Sequence, residues 1–411
     1  MSDKCKILHT GDWHLGKRLE DFSRLEEQRE VLNEICDIAR KENPDIVVVA
    51  GDLFDTFNPP TEAIDLLYKT LKVLSSDGRR PVIAIAGNHD SPDRIEAPDP
   101  LVRECGIIFA GYPNSVVPLF ELKSGLKVIG SEEGFVELKL PNKNYPIRVL
   151  LTPYANEFRL KSFLGVEEED EELRNVLQGH WDKLANKYCD EKGVNILLSH
   201  LFMVKKGDPL PEEPEDEKPI LHVGGAQAIY TQNIPLQVQY TALGHLHRKQ
   251  KVDDSLSPIY YSGSPLSYSF AEADQKKFVL IIETEPGEKS IVREVELTTP
   301  RPLLRKRAKG VEEALQWLSE NKDALVELTL VTDTFISAKE RRILTNSHDG
   351  IVTIIPEVVN TEILTGKNRS QIDLNKSMEE LFTEYFIHEK DQVPNEDIIN
   401  LFREILGEEA N

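Results

Sequence analysis

The chain has 411 residues, a hydrophobic content of 40% and a formal net charge of −22. It is long enough to bury a large core over two or three domains, and too acidic for a surface that binds nucleic acid everywhere. Its start, MSDKCKILHTGDWHLG, has no apolar signal region, and no run approaches the ~20 apolar residues that span a bilayer, so a cytoplasmic protein with no membrane partner is expected. Cys5, Cys36, Cys105 and Cys189 form no C-x-x-C pair, which fits buried free thiols better than disulfides or zinc knuckles.

In chain order, the strand candidates are CKILHT, DIVVVA, PVIAIA, RVLLTPY, NILLSH, QYTALG and PIYYSG. Helical spacing lies between them. Leu25, Leu32, Ile35, Cys36 and Ala39 share one face after the first strand, and Ile64, Leu67, Tyr68, Leu71 and Leu74 share one after the second. This alternation predicts an α/β fold, in which ligands gather at the carboxyl ends of strands. Two further strands are expected around Pro286-Gly287. From about Arg301 the pattern becomes strand, helix, strand, helix, strand, with Ser337 and Glu340 as a capping box. Acid is concentrated at 167–172 and 211–217, and base at 248–251 and 301–309.

Five strand candidates run into polar groups. The first meets Gly11-Asp12-Trp13-His14, the second Gly51-Asp52 and the third Gly87-Asn88-His89-Asp90. NILLS ends at His200, and YTALG at His245-Leu246-His247. Glycine precedes the polar group in four of the five, as a tight turn or a close backbone approach requires. Carboxylate, amide oxygen and imidazole together suit Mn²⁺, Fe²⁺ or Zn²⁺, and the lack of cysteine among them argues against structural zinc. Asp12, His14, Asp52, Asn88, His200, His245 and His247 are too many ligands for one ion and suit two, with one carboxylate bridging. Trp13 and His9 read as packed core residues.

The pattern D-x-H, G-D, G-N-H-D, H, G-H-x-H resembles that of the calcineurin-like metallophosphoesterases, and every element of it is present. Longer strings, LHTGDWHLGK, GDLFDTFNPP, AGNHDSP, LGHLH and YYSGSPLSYSF, resemble the nuclease subunits of bacterial double-strand-break repair complexes. The resemblance implies a mixed-sheet sandwich flanked by helices. It places Asp12, His14, Asp52 and His247 on one ion and Asn88, His200 and His245 on a second, with Asp52 bridging and Mn²⁺ the favoured metal. Two such ions, about 3.5–4 Å apart, clamp a phosphate and lower the pKa of a shared water to supply a hydroxide nucleophile. His89 would then act on the scissile phosphate, with Asp90 either orienting it or supporting the turn.

What the resemblance implies is a double-strand exonuclease and single-strand endonuclease, working on DNA ends and hairpins with a coiled-coil ATPase, as a homodimer within a heterotetramer. The helix after Asp21 is the candidate dimer contact. Competing readings are a phosphoesterase with a non-DNA substrate, or a non-catalytic DNA-end adaptor. The expected domains are 1–298, the nuclease; 299–356, an α+β DNA-binding cap; 357–376, a linker; and 377–411, a helical pair divided at Pro394. Arg248, Lys249, Arg305, Lys306, Arg307 and Lys309 are candidate DNA contacts. Ser377 and Glu380 make a second capping box, and Leu381, Phe382, Tyr385, Phe386, Leu401 and Phe402 are candidate anchors for the ATPase.

Overall fold

The computed structural model describes residues 4–154, 173–208, 229–273, 275–332, 336–358 and 378–390, together with 394, 398, 399 and 402. By compactness the chain divides into Met1–Leu330 with Ala338–Ile355, and Val331–Ser337 with Pro356–Asn411.

The first unit contains two large sheets. One has six strands in the order Ile291–Leu297, Lys277–Thr284, Cys5–Thr10, Ile46–Val49, Val82–Ile85, Ile107–Ala110. Its last four strands are parallel, and the pair around Pro286-Gly287 adds antiparallel to Cys5–Thr10. The other has eight strands, with Ile147–Thr152, Val194–His200, Tyr240–Gly244 and Ile259–Tyr261 parallel at its centre. Runs such as IVVV and VIAI are apolar at every position because these strands are covered on both faces.

Between the sheets Ile7, Val48 and Ile83 pack with Val149, Ile196 and Ala242. The helices Leu25–Glu42 and Thr61–Leu74 cover the outer face of the first sheet, and Leu173–Tyr188 covers that of the second. The first helix buries Gln28, Val31, Leu32, Ile35, Cys36 and Ala39, and stops at left-handed Asn43, whose N–H returns to Ala39 O. This is the helix expected to meet a second copy. Its apolar stripe lies on its own sheet, and Glu26, Glu30, Asp37, Arg40 and Lys41 face outward.

One feature exceeds the sequence expectation. The second sheet extends through an antiparallel edge, Phe120–Glu121, Lys127–Glu132 and Phe135–Lys139. Lys127–Glu132 alternates too weakly to be read from sequence, since only Val128 is buried. Toward the C-terminus, Leu303–Lys309, Leu325–Thr332 and Ile351–Val358 form a three-stranded sheet, with Gly310–Glu320 and Ala338–Ser347 between its strands. Among the described residues no helix is long and apolar enough to cross a membrane. The acidic runs at 167–172 and 211–217 lie outside the described residues.

Candidate metal centre

Parallel pairing brings the polar strand ends together. Cys5–Thr10, Ile46–Val49 and Val82–Ile85 point the same way, so Asp12, Asp52 and Asn88 follow strand ends on one edge of the first sheet. In the second sheet His200 pairs with Gly244, which leads directly into His245 and His247. The two edges meet through His200, whose Nδ1–H donates to Ala50 O at 2.8 Å.

The glycines permit this approach. A Cβ on Gly87 would lie 2.1 Å from Asp52 Oδ1, and one on Gly51, where φ is +88°, would lie 2.3 Å from His200 Nδ1. Among the described residues, four of the eight non-glycine positions with positive φ are Asp12 (52°), His14 (43°), Asp52 (48°) and His245 (108°). Such strain clusters at functional sites, where surrounding structure holds it.

The donor atoms fall into two groups that meet at Asp52. In one, His14 Nε2 and His247 Nε2 face each other at 2.9 Å, and His14 Nε2 is 3.5 Å from Asp52 Oδ2. Asp12 stands with them, its Oδ1 accepting the His245 N–H at 2.8 Å. In the other, Asn88 Oδ1 lies 3.0 Å from His200 Nε2 and 2.9 Å from His245 Nδ1, and His200 Nε2 is 3.4 Å from Asp52 Oδ2.

The residues fit a pair of divalent cations. Asp12 Oδ2 is buried with no hydrogen-bond partner, a costly state for a carboxylate unless a cation faces it. Two imidazole nitrogens at 2.9 Å also need a proton or a cation between them. Burial lowers the His14 ring well below the usual histidine range and takes His245 to about 3, keeping both neutral with lone pairs to donate. Burial pushes Asp12 up to about 7, the response of a carboxylate short of positive charge. Asp52 is held well below its ordinary range, burial being outweighed by His200 and His14. His200 rises to about 9, because the Asp52 charge and hydrogen bond overcome burial.

His89 makes a different set of contacts. Its Nδ1–H donates to Asp55 O at 2.8 Å and its backbone N–H to Asp52 Oδ1 at 2.9 Å, while its ring lies edge-on to His14 at 4.7 Å. Since a carbonyl oxygen only accepts, Nδ1 carries the proton and Nε2 is the tip the ring presents. Asp90 does not orient His89. Its carboxylate accepts the N–H groups of Leu53 (3.0 Å), Phe54 (2.9 Å) and Gly87 (2.8 Å), joining the turns that carry Asp52 and Asn88.

The family described as calcineurin-like phosphoesterase matches residues 5–249. The chain belongs to the calcineurin-like phosphoesterases. The SbcD subunit of the SbcCD nuclease from Bacillus subtilis (strain 168) is 35% identical over 409 residues, 97% of each chain. The SbcD subunit from Staphylococcus epidermidis (strain ATCC 12228 / FDA PCI 1200) is 30% identical over 285 residues, 68% of this chain and 66% of its own. Within the family the chain groups with these SbcD proteins.

Other expected site residues of this phosphoesterase lie differently. Along Leu303–Lys309 the basic run alternates in exposure, and Arg305 pairs with Glu327 and Lys306 with Glu313, both at 2.8 Å. Arg307 and Lys309 are exposed, as is Arg248, but Lys249 pairs with Glu294 at 2.7 Å. In the second unit the helix Met378–Lys390 exposes Met378 and Tyr385. Leu381, Phe382 and Phe386 are half-buried, and Phe382 stacks on Phe402 at 4.0 Å. Ser377 and Leu401 lie outside the described residues.

Sequence reasoning missed Glu272. This buried carboxylate reaches His247 Nδ1 at 3.3 Å and Lys277 Nζ at 2.5 Å, and no motif spacing marks it. It also missed Tyr154, whose ring stacks on His245 at 6.2 Å. Trp13 is packed in the core, with its indole N–H on Thr10 Oγ1 at 3.0 Å.

Proposed function

We propose that this chain, a metal-dependent nuclease by family, cleaves DNA phosphodiester bonds with two Mn²⁺ ions, as an exonuclease on duplex ends and an endonuclease on single strands. The observation that carries the reading is the meeting of two donor groups at the Asp52 carboxylate, with the His89 ring beside them. Asp12, His14, Asp52 and His247 would hold one ion; Asn88, His200 and His245, with Asp52, the other. When bound, two divalent ions clamp a phosphate and lower the pKa of a water between them.

The chain's own groups do the rest. Asp55 O fixes the His89 ring through Nδ1–H, which leaves Nε2 to approach the scissile phosphate; a ring that carries a second proton, on Nε2, passes it to the leaving oxygen and returns to the neutral Nδ1–H form. Arg248 and Lys309 offer exposed charge for DNA phosphates, and the exposed Arg307 lies between Lys306 and Lys309 on the same run; Arg305, Lys306 and Lys249 must first leave carboxylate partners. The relatives are named as parts of SbcCD. By that likeness the chain works in the cytoplasm with an SbcC-like coiled-coil ATPase, as a homodimer within a heterotetramer that processes ends and hairpins. Residues 299–356 form the DNA-side cap, and 377–411 the segment docking on the ATPase through the Phe382 and Tyr385 face; the expected linker 357–376 starts inside the strand Ile351–Val358, and the rest of it lies outside the described residues.

End-labelled duplexes test the reading. Label should be released with Mn²⁺ and abolished by EDTA. Cleavage that survives chelation, or fails with every divalent metal, would overturn it.

A further inference from the structure

We infer that Glu272 is a positioning residue for His247, fixing which ring nitrogen faces the cation expected between His14 and His247. The inference rests on the reading of His247 as a metal ligand. Glu272 is 1% exposed, and both of its oxygens are engaged. Oε1 faces His247 Nδ1 at 3.3 Å and accepts the Tyr268 N–H at 3.0 Å; Oε2 takes Lys277 Nζ at 2.5 Å. A carboxylate paired with an ammonium only accepts, so Nδ1 must be the donor and Nε2 the nitrogen with the free lone pair. Nε2 is the atom that meets His14 Nε2 at 2.9 Å.

Lys277 closes the arrangement by donating to His247 O at 3.3 Å and Ser264 Oγ at 3.0 Å, so one buried ion pair grips both the ring and the backbone of His247. The same segment reaches the D-x-H turn, where the Tyr268 hydroxyl donates to Trp13 O and its ring lies 5.3 Å from that of His14. Asp55, which faces His14 Nδ1, does not play the equivalent part. It stands 3.7 Å away, beyond a hydrogen bond, and is held by Lys17 at 3.2 Å. A carboxylate behind a ligand histidine orients the ring and raises its basicity, and losing one costs about 10–100-fold in metal affinity.

Mn²⁺ titration calorimetry on the full chain tests this with Glu272→Gln, with Glu272→Gln/Lys277→Met, which removes both buried charges together, and with His247→Asn. The readout is the ratio of the two ion affinities, so a loss of stability felt by both ions cancels. The parent should bind two ions. His247→Asn should weaken one, and each Glu272 variant should weaken that same ion by about tenfold or more, leaving the other unchanged. An unaltered ratio in both Glu272 variants, whether the affinities hold or fall together, would reduce Glu272 to a brace and overturn the inference. Retention of both ions by His247→Asn would instead overturn the ligand assignment beneath it.

Discussion

Replacing Asp90 with alanine removes the acceptor for three buried N–H groups, those of Leu53, Phe54 and Gly87. Each donor left without a partner costs about 1–3 kcal/mol, which gives about 3–9 kcal/mol for the three. Two effects pull the value down. Water can enter the space of the missing carboxylate, and the repulsion from Asp52, which with burial raises Asp90 to about 6, is relieved. The expected loss is therefore near the lower bound, about 3 kcal/mol, which a domain with about 5–15 kcal/mol of stability survives folded. Urea unfolding of the metal-free protein should show a lower midpoint with an unchanged slope. Asp90→Asn, which keeps the size and one carbonyl oxygen, should lose about half as much. Because Asp90 ties the Asp52 turn to the Asn88 turn, Mn²⁺ affinity should fall in the alanine variant as well. A loss below about 1 kcal/mol, or unchanged metal affinity, would refute the argument that these three bonds hold the two turns in register.

Four further outcomes are expected. His89→Gln should keep both ions by calorimetry yet cleave about 10²–10⁴-fold more slowly, whereas Asp52→Ala should lose both ions, since each group depends on that carboxylate. Burial takes His9 down to about 3 against an ordinary 6.5, so between those values only the unfolded chain gains the proton and stability falls with pH; between pH 8 and pH 5 the parent should lose about 2 kcal/mol more than His9→Gln in denaturant titrations. Glutamine at Arg305, Lys306, Arg307 and Lys309 should flatten the log–log salt dependence of duplex binding by roughly 0.9 for each phosphate no longer neutralised, and by less than four phosphates' worth, because Arg305 and Lys306 already have carboxylate partners. Truncation before Ser377 should leave an active nuclease that no longer co-purifies with its ATPase in a pull-down; undiminished binding would remove the tail as the docking element.

Each expected ligand was legible because it sits just past a short apolar strand, usually behind a glycine. Parallel strands discharge such residues at one edge, so order along the chain becomes proximity in space. The neighbours of those ligands were not legible. Glu272 reaches His247 from 25 positions away, after the paired strands Gln250–Asp253 and Ile259–Tyr261 and a return whose path is set by tertiary packing. Asp90 was visible, but its role was decided by the turn at Leu53–Phe54, which approaches from another strand. The basic run looked uniform until strand alternation and the glutamates of neighbouring elements divided it.

The left-handed backbone at Asp12, His14, Asp52 and His245 has an evolutionary consequence. Each of these positions costs the metal-free fold about 1–2 kcal/mol that glycine would not. A library of this chain screened for heat resistance alone, in chelator, should therefore enrich glycine at His14 and His245, whose rings accept no backbone N–H, ahead of Asp12 and Asp52, whose carboxylates hold the His245 and His89 N–H groups. Heat-tolerant variants that still cleave DNA should emerge only when the screen supplies the cation, and their gains should fall elsewhere, in the helices and the sheet edges.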